Sequence, residues 1–200
     1  MKKNIGFIIN SENNYKYTLI TNNHGKLKIQ SRFLNENFSA LKNSFFIEYE
    51  FLDLKDDLII LNNNIIYKPD NVSILYLCEN YTNKLYGTMS LIIFICQYFI
   101  LEGICTEKIL EKLLKLKDQK NNNLFEIKTN LFDTIFFILQ NSVDLAEHTE
   151  KKLRYYIETK NKTNLILEFN KLFELTTHNQ NKKTLSILHN IIDFIINNEI

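Results

Sequence analysis

The chain has 200 residues, 45% apolar and 24% charged, with a formal net charge of +1. That balance supplies a sizeable core and excludes a disordered chain. It also excludes binding to a polyanion by bulk charge, so any nucleic-acid contact must rest on where the cations sit.

The first seventy residues read as strands. After MKKN, Ile5–Asn10 is a short apolar strand, and the early Asn10 and Glu12 cut it too short for a secretory signal. Ser11–Asn14 is turn-forming, and Tyr15–Thr21 is a second strand rich in Tyr and Thr. Asn22-Asn23-His24-Gly25 follows as a turn, with Gly25 available for a positive φ. Residues 25–33 then alternate, with Leu27, Ile29 and Phe33 on one face and Lys26, Lys28, Gln30 and Arg32 on the other. Phe45, Ile47, Tyr49 and Phe51 alternate with Glu48 and Glu50, and Leu58–Tyr67 supplies a fifth strand or a hairpin. Five short strands in this length suit a closed barrel, and the OB-fold is the commonest five-stranded Greek-key form.

Pro69, the only proline, marks a boundary, after which the apolar period becomes 3.6. The fold class is therefore α+β, with an N-terminal five-stranded OB-like β-barrel over residues 1–69 and an all-helical domain of about six helices over 70–200. Thr106 is an N-cap candidate for a helix carrying Ile109, Leu110, Leu113, Leu114 and Leu116. Leu124, Leu131, Ile135 and Leu139 form a second stripe, Leu165, Phe169, Leu172 and Phe173 a third, and Leu188, Ile191, Ile192, Ile195 and Ile196 the last. No glycine follows Gly103, so the helical turns must use Asn, Asp, Thr and Ser. Leu85–Leu101 is uncharged but just short of the roughly 20 residues that span a bilayer, and reads as a buried helix rather than a membrane contact.

Cys78, Cys96 and Cys105 are odd in number and form no CxxC, which argues against a disulfide framework or structural zinc and fits reduced thiols in a cytoplasmic protein. HExxH, GxSxG, GxxxxGK[ST] and GxGxxG are all absent, so no catalytic residue, metal or cofactor is assigned. The informative feature is the basic strand. Lys26, Lys28 and Arg32 project from one side, and Lys16 and Lys42 are placed to widen the patch. Residues 1–46 hold seven Lys and Arg against Glu12 and Glu36, a local +5. Such cations neutralise phosphates, and Tyr15 and Tyr17 are the aromatic candidates for stacking on bases. The plain alternative is a solvated strand face, since lysines also block edge pairing. Lys108, Lys112 and Lys115, and separately Lys151, Lys152 and Arg154, read first as polar faces of helices, although a basic rim suits an acidic peptide tail.

The order of these signals resembles the bacterial RecO family. The strand leading into an HGK turn and a basic strand is TLITNNHGKLKIQSRF here, residues 18–33; the acidic–aromatic strand is ALKNSFFIEYEFL, residues 40–52, followed by DDLIILNNNIIY. In the helical half, TEKILEKLLKL and LFEIKTNLFDTIFFIL occupy the places of the family's helices. The resemblance covers most of the chain in order. It implies a DNA-binding recombination mediator without enzymatic activity, acting in DNA repair on single- and double-stranded DNA. It further implies strand annealing and recombinase loading, with RecR, the single-strand-binding protein and RecF as partners. The cysteine cluster that many members carry after the central helix is replaced by VDLAEHTEKK, so their zinc site does not carry over. A rival reading is an adaptor whose β-domain and helices bind only proteins.

Overall fold

The computed structural model describes residues 4–12, 16–30, 45–50, 58–61, 64–67, 71–77, 85–101, 105–117, 124–143, 147–176 and 182–198. The protein is α+β, with its strands first. They are β1 (Asn4–Glu12), β2 (Lys16–Thr21), β3 (Lys26–Gln30), β4 (Phe45–Glu50), β5 (Leu58–Leu61), β6 (Asn64–Tyr67) and β7 (Asn71–Leu77). Six helices follow among the described residues: α1 (Tyr86–Tyr98), α2 (Glu107–Lys117), α3 (Leu124–Val143), α4 (Glu147–Glu158), α5 (Lys162–Thr176) and α6 (Lys182–Asn198). The chain divides into two compact units. The first holds residues Met1–Glu79 and Leu101–Lys117, the second Asn80–Ile100 and Asp118–Ile200.

In the first unit β1, β2 and β3 form an antiparallel meander, and β4 returns to pair with β1 on its other side. The spatial order β4-β1-β2-β3 is a Greek key. Beyond it β7 pairs antiparallel with β4, β6 pairs parallel with β3 through Ile29 and Tyr67, and β5 pairs with β6. The full order is β5-β6-β3-β2-β1-β4-β7. The five-stranded closed barrel expected from the sequence is not what the described strands form: there are seven, in an open order. Two segments account for the difference. Residues 58–67 supply a hairpin of two strands. Residues 71–77, read as the helical side of Pro69, are a strand, the edge strand β7 paired antiparallel with β4.

The alternation on β3 is as read, with Leu27 and Ile29 buried between half-buried Lys26, Lys28 and Gln30. One face of the sheet gathers Ile8, Tyr17, Leu19, Leu27, Ile29, Ile47 and Tyr49 into the core. Gly6 belongs to this face, because a Cβ there would meet Leu19 Cδ1 at 3.0 Å. Phe7 and Ile20, which point the other way, are also fully buried, so β1 and β2 are covered on both faces at that end. Helix α2 belongs to this unit and packs against β2. Its Ile109, Leu110, Leu113 and Leu116 are all buried, each contributing roughly 1.5–3 kcal/mol by leaving water. Periodicity finds such a stripe but does not say which surface receives it.

In the second unit α1 packs with α3 and α6, α4 with α5, and α5 with α6. Most of each expected stripe is inside: Leu131, Ile135 and Leu139, then Leu165, Phe169 and Leu172, then Leu188, Ile192, Ile195 and Ile196, with Ile191 half-buried. The apolar segment forms α1, thirteen residues long with Thr88 fully buried. No helix among the described residues is long and apolar enough to cross a membrane. Arg154, read as part of a basic surface, is engaged in the fold. Its Nη2 donates to Asp133 at 3.0 Å and its Nε to Glu150 at 2.9 Å, and its guanidinium lies 4.2 Å from the Phe136 ring centroid.

The corner between α4 and α5 shows how a glycine-poor chain turns. Asn161 N–H donates to Tyr156 O (2.8 Å) and Lys160 N–H to Ile157 O (3.2 Å), a Schellman closure with Lys160 at φ 54°. Asn161 then caps α5, its Oδ1 accepting from Asn164 N–H. A side chain in the left-handed region is strained by roughly 1–2 kcal/mol, and glycine is not. Lys160→Gly should therefore raise stability by about 1 kcal/mol, with the gain trimmed by the freer unfolded chain. Urea denaturation checks this; a midpoint lower than wild type would contradict it.

Candidate nucleic-acid interface

The basic face depends on the pairing of β2 with β3. The register sets Lys16 opposite Gln30, Tyr17 opposite Ile29, Thr18 opposite Lys28, Leu19 opposite Leu27 and Ile20 opposite Lys26. Directly opposed residues point to the same side. Lys16, Lys26 and Lys28 therefore share one face, with Thr18, Ile20 and Gln30, while Tyr17, Leu19, Leu27 and Ile29 share the other. Lys26 and Lys28 lie about 7 Å apart along the strand. Lys16 is the diagonal neighbour of Lys28, at about 7–8 Å. All three lysines are half-buried.

Three features temper this face. Ile20, opposite Lys26 and on the same side, is fully buried, so the face is covered at that end. Glu12 stands directly across from Lys16, on the same side, and takes part of its field. Tyr17 is only 2% exposed and sits among the core residues, so its ring offers no face to a base. Burial also pushes its hydroxyl pKa above the ordinary tyrosine value. Its place follows from parity: the stacking role would need it beside Lys16 and Thr18, and strand geometry puts it opposite them. Tyr15, Arg32 and Lys42 lie outside the described residues. No group of three His, Cys, Asp or Glu placed to hold a metal occurs among the described residues.

The turn that joins β2 to β3 is the best-defined polar cluster of the unit, and alternation gave no sign of how closely it is tied. Gly25 adopts φ 70°, and its carbonyl accepts from Thr21 N–H (3.0 Å) and Thr21 Oγ1 (2.8 Å). Thr21 Oγ1 in turn accepts from His24 N–H at 3.0 Å. Asn22 bridges to β1, its N–H donating to Ile5 O and its Oδ1 accepting from Ile5 N–H. Asn23 Nδ2 donates to Asn4 Oδ1 at 2.7 Å. The His24 ring reaches Tyr49 on β4, with Nδ1 and the Tyr49 hydroxyl 3.1 Å apart, a hydrogen bond whose direction follows the imidazole tautomer. Burial raises the Tyr49 pKa above the ordinary value, partly offset by a hydrogen bond with Thr21, so the hydroxyl stays neutral. The chemistry of this cluster is that of a clamp on the turn: His24 is held against Tyr49 rather than directed at a phosphate.

Burial also lowers the His24 pKa below its ordinary 6.5. The unfolded chain, with the ordinary value, takes up the proton first as pH falls. The contribution of neutral His24 is thus complete above about 6.5 and is lost as pH drops through the depressed folded value. An NMR titration of the His24 ring in the folded protein should give a midpoint below 6.5. Thermal stability should decline across the same window, and less so in His24→Gln. A folded midpoint at or above 6.5 would contradict the assignment of burial as the cause.

Compared with known proteins, the chain matches no protein-family model and no curated protein.

Proposed function

We propose that this chain is a non-enzymatic, cytoplasmic DNA-binding protein that acts as a recombination mediator of the RecO kind. In this reading the β-unit binds single- and double-stranded DNA, promotes annealing, and helps load the strand-exchange recombinase onto DNA coated by the single-strand-binding protein. RecR, RecF and the single-strand-binding protein itself are the protein partners. The observation that carries the reading is the gathering of Lys16, Lys26 and Lys28 on one face by the β2–β3 register. The Greek-key order of β1–β4 and the parallel pairing of β3 with β6 also fit an OB-like platform, since that fold is built on a Greek key. The ordered resemblance of residues 18–33 and 40–52 supplies the family.

The mechanism is electrostatic. Each ammonium group that meets a phosphate releases a condensed counterion, and that release supplies sequence-independent affinity. A near-neutral chain concentrates this effect on one face, so strands are held locally without trapping the protein along the duplex. With Tyr17 in the core, Tyr15 remains the aromatic candidate for stacking, and it lies outside the described residues together with Arg32 and Lys42. No nucleotide hydrolysis enters the scheme.

Fluorescence anisotropy with labelled single-stranded DNA across a salt series tests it. The triple variant Lys16→Ala, Lys26→Ala, Lys28→Ala should bind more weakly at low salt and flatten the log–log salt slope by about 2, at roughly 0.7 per lost contact. The loss should be nearly uniform across sequences, and Lys182→Ala with Lys183→Ala should change little. Equal binding by wild type and triple variant at every salt concentration would reduce the lysines to a solvated face. No binding by wild type would hand the chain to the adaptor reading.

A further inference from the structure

A second row of lysines lies in the same compact unit as the sheet, although it is distant in sequence. Lys108, Lys112 and Lys115 recur at spacings of four and three on α2, opposite the buried Ile109, Leu110, Leu113 and Leu116. Lys108 and Lys115 are exposed and Lys112 is half-buried. Glu107 and Glu111 are exposed on the same side of the helix, leaving three lysines against two carboxylates there.

The position of this row is set by one hydrogen bond. The Thr106 hydroxyl donates to the Thr21 carbonyl at 2.7 Å, and both groups are buried. The Thr106 carbonyl accepts the first helical bond, from Leu110 N–H at 2.9 Å. The start of α2 is therefore held at the last residue of β2. Thr21 adjoins Ile20, whose cross-strand partner is Lys26. Lys26 thus sits one strand spacing, about 5 Å, from the strand end to which α2 is tied. Lys108 is two residues into the helix, and the row to Lys115 rises about 10 Å from there.

We infer that α2 is the second wall of the nucleic-acid site: a DNA strand laid on Lys16, Lys28 and Lys26 continues along Lys108, Lys112 and Lys115, with its phosphates meeting both rows. The occupant is the phosphate backbone of single-stranded DNA. A row of cations that outnumbers its acids and starts at the strand end next to Lys26 complements a flexible polyanion and does not complement an acidic peptide's apolar anchors, since the apolar stripe of α2 is already buried. This inference rests on the DNA-binding reading of the sheet face.

The test is anisotropy of the full chain with a labelled oligothymidylate across a salt series, comparing wild type, the sheet triple variant, and Lys108→Gln, Lys112→Gln, Lys115→Gln. Each triple change should flatten the slope by about 2, and the two together by about 4. The single changes, each leaving the buried stripe intact, should remove about 0.7 apiece and keep the test open if the triple variant unfolds. Lys→Arg at the three α2 positions should keep the wild-type slope. Full wild-type slope in the α2 variants, with a reduced slope in the sheet variant, would overturn the second wall and leave the sheet site standing. Wild-type behaviour of the sheet variant would overturn the reading on which both depend.

Discussion

The register of β2 against β3 is the constraint on which the rest of the first unit depends. Side chains alternate along a strand, so a slip of one residue would carry Lys26 and Lys28 into the core and turn Leu27 and Ile29 out. The turn that prevents the slip is closed by a single buried residue. Thr21 spends its N–H and hydroxyl on Gly25 and His24, and its carbonyl on Thr106. Leaving any of these buried groups unmet costs roughly 1–3 kcal/mol, enough to bias the turn strongly toward one arrangement. The same residue therefore aims the lysines of the sheet and anchors the helix that follows β7 in the unit.

The near-zero net charge is compatible with a cationic site because cations are used differently along the chain. In the helical unit Lys151, Arg154, Lys162 and Lys171 each pair with a carboxylate, from Glu147, Asp133 and Glu150, Asp193 and Glu168. The partly exposed pairs among them contribute at most about 1 kcal/mol each, but they hold those charges at home. On α2, Lys108, Lys112 and Lys115 make no ion pair with another described residue. What matters for a polyanion is the local field within about 10 Å, the screening distance at 0.1 M salt, rather than the sum over the chain.

Much of this was legible in the sequence, and the gaps have physical reasons. Alternation in β3 and the helical stripes were readable because burial imposes period two or 3.6 on a single segment. Parity along β3 put Lys26 and Lys28 on one face, whereas the side on which Lys16 stands depends on the β2–β3 register. Tyr17 was named for stacking by its nearness in sequence to Lys16, but adjacent strand residues face opposite sides and the ring lies in the core. The strand 71–77 was not legible, because a proline just upstream in the sequence is compatible with an edge strand as well as with a helix. The link from Thr106 to Thr21 spans 85 residues, and no local pattern reports so distant a partner. Lys160 at a positive φ was equally hidden, since the expected signal there is Gly or Asn.

The most direct measurement of the central claim is a lysine footprint. The full chain is acetylated with and without saturating single-stranded DNA, and each site is read by mass spectrometry. The account predicts protection of Lys16, Lys26 and Lys28 together, because one register aims all three at the strand. It predicts no change at Lys151 and Lys171, whose side chains are 74% and 54% exposed in the other unit. Protection confined to Lys151 and Lys171, with the three sheet lysines as reactive as in the free protein, would contradict it.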